Sequence, residues 1–279
     1  MADAFTVGNV EVGGVLDMVP PPRDASDFFP DVAEEQWAPY RDEVLVEGKI
    51  QLYYGHFFLR SQGKTVMVDT GMGPGPHPTR GNLTGDLLNQ LALHGVRPED
   101  VDVVVHTHLH ADHVGWNLDI SGEHPRPYFP NARYLVPKVD WEHFTQPQNL
   151  DKAPWVRERV VPLQALGLID LIDSGHAITD EVTTLATPGH TPGHQVVLIN
   201  SQGQRAMVVG DAIHSKVQIQ EPRWCAGADI NKGDSSRSRE DLLNRATAED
   251  YIIAAGHFHP EENVGRVALR NGLRYWQPV

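Results

Sequence analysis

Eight consecutive residues, His106-Thr107-His108-Leu109-His110-Ala111-Asp112-His113, constrain this chain more than any other stretch. They follow Val101 to Val105, a short β-branched apolar run of the kind that forms a buried strand. In an extended backbone, side chains two apart share a face, so His108 and His110 point the same way. A turn after them brings Asp112 and His113 round to the same volume. Packed there as a dry core, these imidazoles and the carboxylate would lack partners and would set imidazolium beside imidazolium. A divalent cation removes both costs, and imidazole nitrogen with carboxylate oxygen is a donor set that Zn2+ favours. The segment therefore reads as a metal-binding loop leaving a strand.

The rest of the chain narrows the kind of site. Cys225 is the only cysteine, which excludes an intramolecular disulfide and any paired-cysteine zinc or redox motif, so ligands must be histidines and carboxylates. Three further candidates stand beside glycine at the ends of strand-like runs: His190 in Thr187-Pro188-Gly189-His190, Asp211 in Val208-Val209-Gly210-Asp211, and His257 in Ala254-Ala255-Gly256-His257. Strand ends are where an α/β scaffold presents its chemistry, and glycine lets backbone pass close to a site. His106, His194 and His259 read as supporting hydrogen bonders rather than as ligands.

Around these motifs, strand-like and helix-like segments alternate. Strands are expected at Ile50 to Leu59, Thr65 to Asp69, Arg133 to Val136, Val182 to Ala186, Gln195 to Asn200, Arg205 to Val209 and Tyr251 to Ala255. Helices are expected around Leu83, Leu87, Leu88 and Leu91, over Pro137 to Thr145 and Pro154 to Leu166, and from Arg239 to Ala248 with Ser238 and Asp241 as a capping-box-like start. This mixture predicts a layered α/β domain spanning residues 1–279, with no repeat or linker dividing it. Residues 17–47, broken by Pro20-Pro21-Pro22, Pro30 and Pro39, follow neither periodicity. Phe28, Phe29, Trp37 and Tyr40 either pin this stretch to the body as a loop or make it a flap over the site.

The ordered set resembles the metallo-β-lactamase superfamily, whose HxHxDH motif is matched by His108, His110, Asp112 and His113. Asp69-Thr70-Gly71, Thr187-Pro188-Gly189-His190, Asp211 and Gly256-His257 extend the resemblance over nearly the whole chain. It implies an α/β, αβ/βα four-layer sandwich of two central mixed sheets flanked by helices, with metals at the sheet edge. It further implies that His108, His110 and His190 hold one ion, that Asp112, His113 and His257 hold a second, that Asp211 bridges them and that Asp69 stands behind them. Two Zn2+ are the expected cofactors, although the same donors accept Mn2+, Fe2+ or Co2+. Coordination lowers the pKa of water from ~16 to about 7, so a metal-bridging hydroxide would be the nucleophile and Asp112 would pass a proton to the leaving group.

Within the superfamily this pattern looks most like the N-acyl homoserine lactonases and their relatives, methyl parathion hydrolases among them. That implies a metal-dependent hydrolase of lactones or carboxylic esters. The same site leaves open an organophosphate (phosphotriester) hydrolase and a glyoxalase II-like thioesterase, although only Lys216 and Arg223 lie near the motifs to hold carboxylates. A non-catalytic, zinc-stabilised binding protein is the reading outside catalysis. His214 stands where such lactonases often carry tyrosine, three residues after the bridging aspartate, and is the candidate substrate contact through an imidazole N–H. Trp116 and Asn117 are candidates for the mouth of the site, and Trp141, Phe144 and Trp224 for an apolar wall or the core. With 23 Lys and Arg against 37 Asp and Glu, the net charge of −14 argues against a nucleic-acid partner. No apolar run approaches the ~18 residues of a membrane span. The opening residues Met1 to Thr6 have neither a basic nor an apolar leader-like stretch, so a cytoplasmic protein is expected. Its expected partner is a small-molecule apolar lactone or ester, with no membrane partner and a homodimer allowed.

Overall fold

The computed structural model describes residues 4–279. Runs of β-branched residues build two mixed sheets whose strands lie side by side in chain order. The first sheet holds β1 (Phe5–Val7), β2 (Val10–Met18), β3 (Tyr54–Ser61), β4 (Lys64–Val68), β5 (Val103–Val105), β6 (Arg133–Pro137) and β7 (Ile169–Ile172). Pairing is antiparallel from β1 to β4 and parallel from β4 to β7. The chain then crosses once, over residues 173–181, to the second sheet. That sheet holds β8 (Val182–Ala186), β9 (Gln195–Ser201), β10 (Gln204–Val208), β11 (Ile252–Ala254), β12 (Val264–Arg270) and β13 (Leu273–Pro278). Every pair in it is antiparallel except β10 with β11.

The two-residue period of the strands sorts their side chains. Val197 and Ile199 of β9 meet Val68, Val103 and Val105 between the sheets, while Val196 and Leu198 face outward. Helices α1 (Leu87–Leu93), α2 (Ala111–Val114), α3 (Lys138–Phe144), α4 (Pro154–Arg159) and α5 (Val161–Ala165) occupy the connections of the first sheet, and α6 (Lys232–Ala248) those of the second. Leu87 and Leu91 of α1 cover Met67 and Val104, and Leu242, Leu243 and Ala246 of α6 cover Met207 and Ile253. The layers run helix, sheet, sheet, helix, the four-layer sandwich that the motifs implied. Among the described residues no helix is long and apolar enough to cross a membrane.

Several element boundaries differ from expectation. Helix α6 starts at Lys232 instead of near Arg239. Its cap is Asn231, whose side chain accepts from the Asp234 amide at 3.1 Å, while the Ser238 hydroxyl donates to the Pro188 carbonyl at 2.7 Å. Gly233 and the serines of the first turns hide this start from a propensity reading. Pro162 breaks the stretch from Pro154 to Leu166 into α4 and α5. Ile50 pairs with Arg23 in a short ribbon instead of leading into β3. The residues between are held by the loop around His257: Tyr53 and Gly55 donate amide hydrogens to the carbonyls of His257 and Gly256 at 3.3 and 3.1 Å.

In the 17–47 stretch, Phe28, Phe29 and Trp37 are buried against Ile50, Leu52, Val217 and Trp224, with Tyr40 beside them. The rings of Trp37 and Trp224 lie 4.8 Å apart, edge to face.

Two glycines set how closely the strand ends approach. Gly115 follows α2 and donates its amide to the Gly71 carbonyl at 2.7 Å, and a Cβ at this position would overlap the Met72 carbonyl. Gly115→Ala is therefore expected to destabilise the fold by about 1–3 kcal/mol, read as a lower urea midpoint with an unchanged slope. Gly189, at φ 136°, lets the loop that carries His190 press on the first turns of α6 at Ser235.

Candidate metal centre

β5 delivers the chain directly into the histidine segment. Its exit is held from β4's end: Asp69, in the left-handed region at φ 60°, accepts the Thr107 amide at 2.8 Å and the Thr107 hydroxyl at 2.7 Å. His110 is still extended, and the single turn of α2 then swings Asp112 and His113 back toward His108. Burial opposes charge on Asp69, but His113 beside it holds the carboxyl well below the usual carboxylate range.

Tracing the protons shows what the centre lacks. The Thr107 hydroxyl spends its proton on Asp69, so it accepts from His108 Nδ1 at 2.9 Å. Three other Nδ1 atoms face acceptors at 2.8 Å: His113 meets Asp69, His190 meets Asp229, and His257 meets the Tyr53 carbonyl. In their neutral forms these four rings carry the proton on Nδ1 and a bare lone pair on Nε2. All four Nε2 atoms nevertheless converge on one carboxylate. Asp211 Oδ1 lies 3.1 Å from His113 and 2.9 Å from His257, and Oδ2 lies 3.0 Å from His190 and 3.6 Å from His108. His113 Nε2 is buried and makes no hydrogen bond despite this approach. His110 turns the other way, with Nδ1 3.1 Å from His108 Nε2 and 2.9 Å from His190 Nε2.

Lone pairs facing lone pairs and carboxylate oxygens need positive charge between them. Burial opposes protonation of His190, yet Asp211 pushes its pKa up to about 9, and the same carboxylate raises His113. Burial and the neighbouring rings push His110 down to about 3. A pair of divalent cations meets this demand without protonating a ligand, so the donor set fits a dinuclear site.

Asp211 divides the donors into two groups. His108, His110, His190 and Asp211 place one donor atom each within 4.8 Å of one another, as do Asp112, His113 and His257. All seven side chains singled out as ligand candidates thus come together. Asp112 is the open edge of the set, with 21% of its side chain exposed against 6% for Asp211.

His214 also reaches Asp211, with Nε2 3.2 Å from Oδ2. Burial opposes charge on Asp211, but His113 and His257 hold its carboxyl well below the usual range, so it accepts and His214 Nε2 donates. The remaining Nδ1 is then an acceptor, buried and without a partner. In this tautomer the N–H of neutral His214 is turned to Asp211.

Other residues named from sequence settle elsewhere. His106 is fully buried with Nδ1 3.6 Å from Asp69 Oδ1, and His259 is exposed with its ring 5.1 Å from that of Tyr53. Trp116 donates to Asp17 at 2.8 Å and Asn117 accepts from Thr70 at 2.8 Å, so both belong to the core and not to the mouth. Phe144 packs with Leu109 and Val114, its ring 6.0 Å from that of His110, with Trp141 alongside. Trp224 belongs to the aromatic cluster of the N-terminal stretch.

Of the residues that aim the ligands, Asp69 and His194 are named from sequence, and Asp140, Asp229 and Arg239 carry no motif. The Nε2 of His194 accepts the Asp211 amide at 3.0 Å while Nδ1 faces the Thr187 hydroxyl at 2.8 Å, and burial pushes its pKa down to about 3, so it is neutral. Asp140 ties two ligand loops together, accepting from the Leu109 amide at 3.2 Å, the Thr191 hydroxyl at 2.8 Å and the Gly193 amide at 2.6 Å. Asp229, behind His190, accepts from the Ala226 amide, the Ser235 hydroxyl and Arg239. Arg239 is 0% exposed and also donates to the carbonyls of Ala212, Pro222 and Trp224 at 2.6, 2.6 and 3.0 Å.

Against known families, the model described as "Metallo-beta-lactamase superfamily" matches residues 57–257, the span that contains every donor above. The chain belongs to the metallo-β-lactamase superfamily. It is homologous to N-acyl homoserine lactonases: the enzyme of Bacillus thuringiensis is 26% identical over 243 residues, covering 81% of this chain and 90% of that one. The lactonase AttM of Rhizobium radiobacter is 26% identical over 174 residues, 61% of this chain and 63% of its own. Among solved structures, a hydrolase of the β-lactamase superfamily, AbOPH, superposes with a TM-score of 0.87 at 23% identity over 99% of this chain and 97% of its own. AidC, a dizinc quorum-quenching lactonase in complex with a product, superposes with a TM-score of 0.85 at 21% identity and the same coverage. These two likenesses speak for the superfamily's fold.

Proposed function

We propose that this superfamily member is a dinuclear metal-dependent hydrolase of lactones or carboxylic esters. The observation that carries the reading is the division of labour at Asp211, whose two oxygens each face their own set of imidazoles, with Asp112 at the open edge. In this reading His108, His110 and His190 hold one cation, Asp112, His113 and His257 the other, and Asp211 both. When bound, the cations supply Lewis acidity toward the scissile carbonyl and make water a nucleophile near neutral pH.

The chain's own groups do the rest. Asp69, Asp229, Thr107 and the Tyr53 carbonyl fix the tautomers of His113, His190, His108 and His257, so that these four donors are already turned inward before substrate arrives. Asp112 is the ligand carboxylate most accessible from outside, and it takes up a proton and returns it to the leaving oxygen. Phe28, edge-on to His214 at 5.6 Å, screens that ring from water. The 17–47 stretch thereby forms one wall of the entrance, and the flap role proposed for it is to shield substrate there.

The test is turnover of γ- and δ-lactones, aryl acetates and paraoxon by Zn2+-reconstituted protein, with chelated protein as the blank. Lactone or ester hydrolysis above the blank is expected. Turnover confined to paraoxon would replace this reading by phosphotriester hydrolysis, and no turnover anywhere would remove it.

A further inference from the structure

A cavity of about 370 Å3 opens beside the centre and shares His214 and His257 with it. One wall is apolar and comes from the N-terminal stretch and the residues after it: Val44, Val46 and Ile50. The rest of the lining is polar, and its charges are unequal. Glu43, Glu261 and Glu262 line it against a single cation, Lys216, which is already held by Glu262 at 2.6 Å. His214 lines it as well, with its Nε2 3.2 Å from Asp211 Oδ2. Nothing in this lining offers a free cation to an anion, and the −14 charge of the whole chain acts in the same sense over longer distances.

We propose that this cavity takes the non-reacting arm of the substrate, and that the arm is an apolar group ending uncharged or cationic, so that carboxylate-terminated substrates are rejected. The inference rests on the hydrolase reading above for the reaction, and on the cavity for the selectivity. An uncharged arm buries its apolar length on Val44, Val46 and Ile50. A cationic end gains attraction from Glu43 and Glu261 at the exposed rim, where salt screens it within about 8–10 Å. A carboxylate there meets like charge, and the one lysine in the lining is already paired with Glu262. This also separates the protein from a thioesterase that must grip a carboxylate-bearing thiol.

The experiment uses matched aryl esters or lactones whose alkyl arm ends in methyl, trimethylammonium or carboxylate. At low salt kcat/KM is expected to fall in the order cationic, neutral, anionic, with about tenfold or more between the extremes. The gap is expected to shrink in 0.5 M salt, a roughly threefold shorter screening length. Glu43→Lys with Glu261→Lys is expected to reverse the order. Glu123→Lys with Asp173→Lys, which makes the same change of net charge away from the cavity lining, is expected to leave it. Equal rates for the three arms, or the same reversal from the remote pair, would overturn the proposal. If none of the three is hydrolysed, calorimetric binding of the corresponding amides decides. The same charge order in affinity would uphold the cavity's selectivity while the hydrolase reading falls, and no order would remove the selectivity as well.

Discussion

Asp211→Ala is expected to release at least one of the two cations and to lower hydrolysis by about three orders of magnitude or more, while the fold persists. The carboxylate is the one group that faces both donor sets, Oδ1 toward His113 and His257 and Oδ2 toward His190 and His108. Without it, two cations would face each other across the seam with no protein anion between them, and their repulsion would favour the loss of one. The backbone has no such dependence. The Asp211 amide stays bonded to His194 Nε2, and Ala212 still meets Arg239. Metal content by elemental analysis is therefore expected to fall by at least one ion per chain, with circular dichroism unchanged. A variant retaining both ions and the parent rate would end the bridging role.

The second large effect is expected behind the site. Arg239→Met removes the cation that faces Asp229 in a place where neither side chain touches solvent. It also orphans the carbonyls of Ala212 and Pro222, while the Trp224 carbonyl keeps the Gln218 side-chain amide at 2.8 Å. Breaking a buried pair from one side costs about 3–5 kcal/mol, which for a chain of this length corresponds to roughly 10 °C in Tm. Asp229→Asn should act differently. It removes the negative charge behind His190, so the expected result is about a 10- to 100-fold weaker affinity for Co2+ in titration, with a smaller loss of stability. Because the two residues share one network, the double variant is expected to be more stable than the sum of the single losses predicts. Strict additivity in melting experiments would show that Arg239 and Asp229 act separately.

What could be read from the sequence follows from how narrowly each function limits residue choice. Coordination admits few side chains, so His108, His110, Asp112 and His113 stand out within six positions, and His190, Asp211 and His257 stand out once glycine and a strand precede or flank them. The residues that orient them are ordinary. Asp140, Asp229 and Arg239 look like surface charges until tertiary structure buries them, because nothing local separates a solvated aspartate from one that holds two loops together. The inner strands β5, β9 and β10 were legible because both their faces are covered. β2 was not, since Glu11, Gly13, Gly14 and Asp17 interrupt its apolar run, and neither were β12 and β13, which close the far edge of their sheet with Leu269 and Leu273 exposed. His214 shows a finer limit. Its position was readable, but which nitrogen holds the proton was decided by Asp211.

The single crossover between the sheets has a consequence for how the centre comes into being. His108, His110, Asp112 and His113 hang from the first sheet, and His190, Asp211 and His257 from the second, so neither half of the polypeptide owns a complete coordination sphere. Cations held there would act as cross-links between the halves. They would be gripped only after the halves have docked and would then oppose separation, so occupancy of the centre would report that the whole molecule has been assembled.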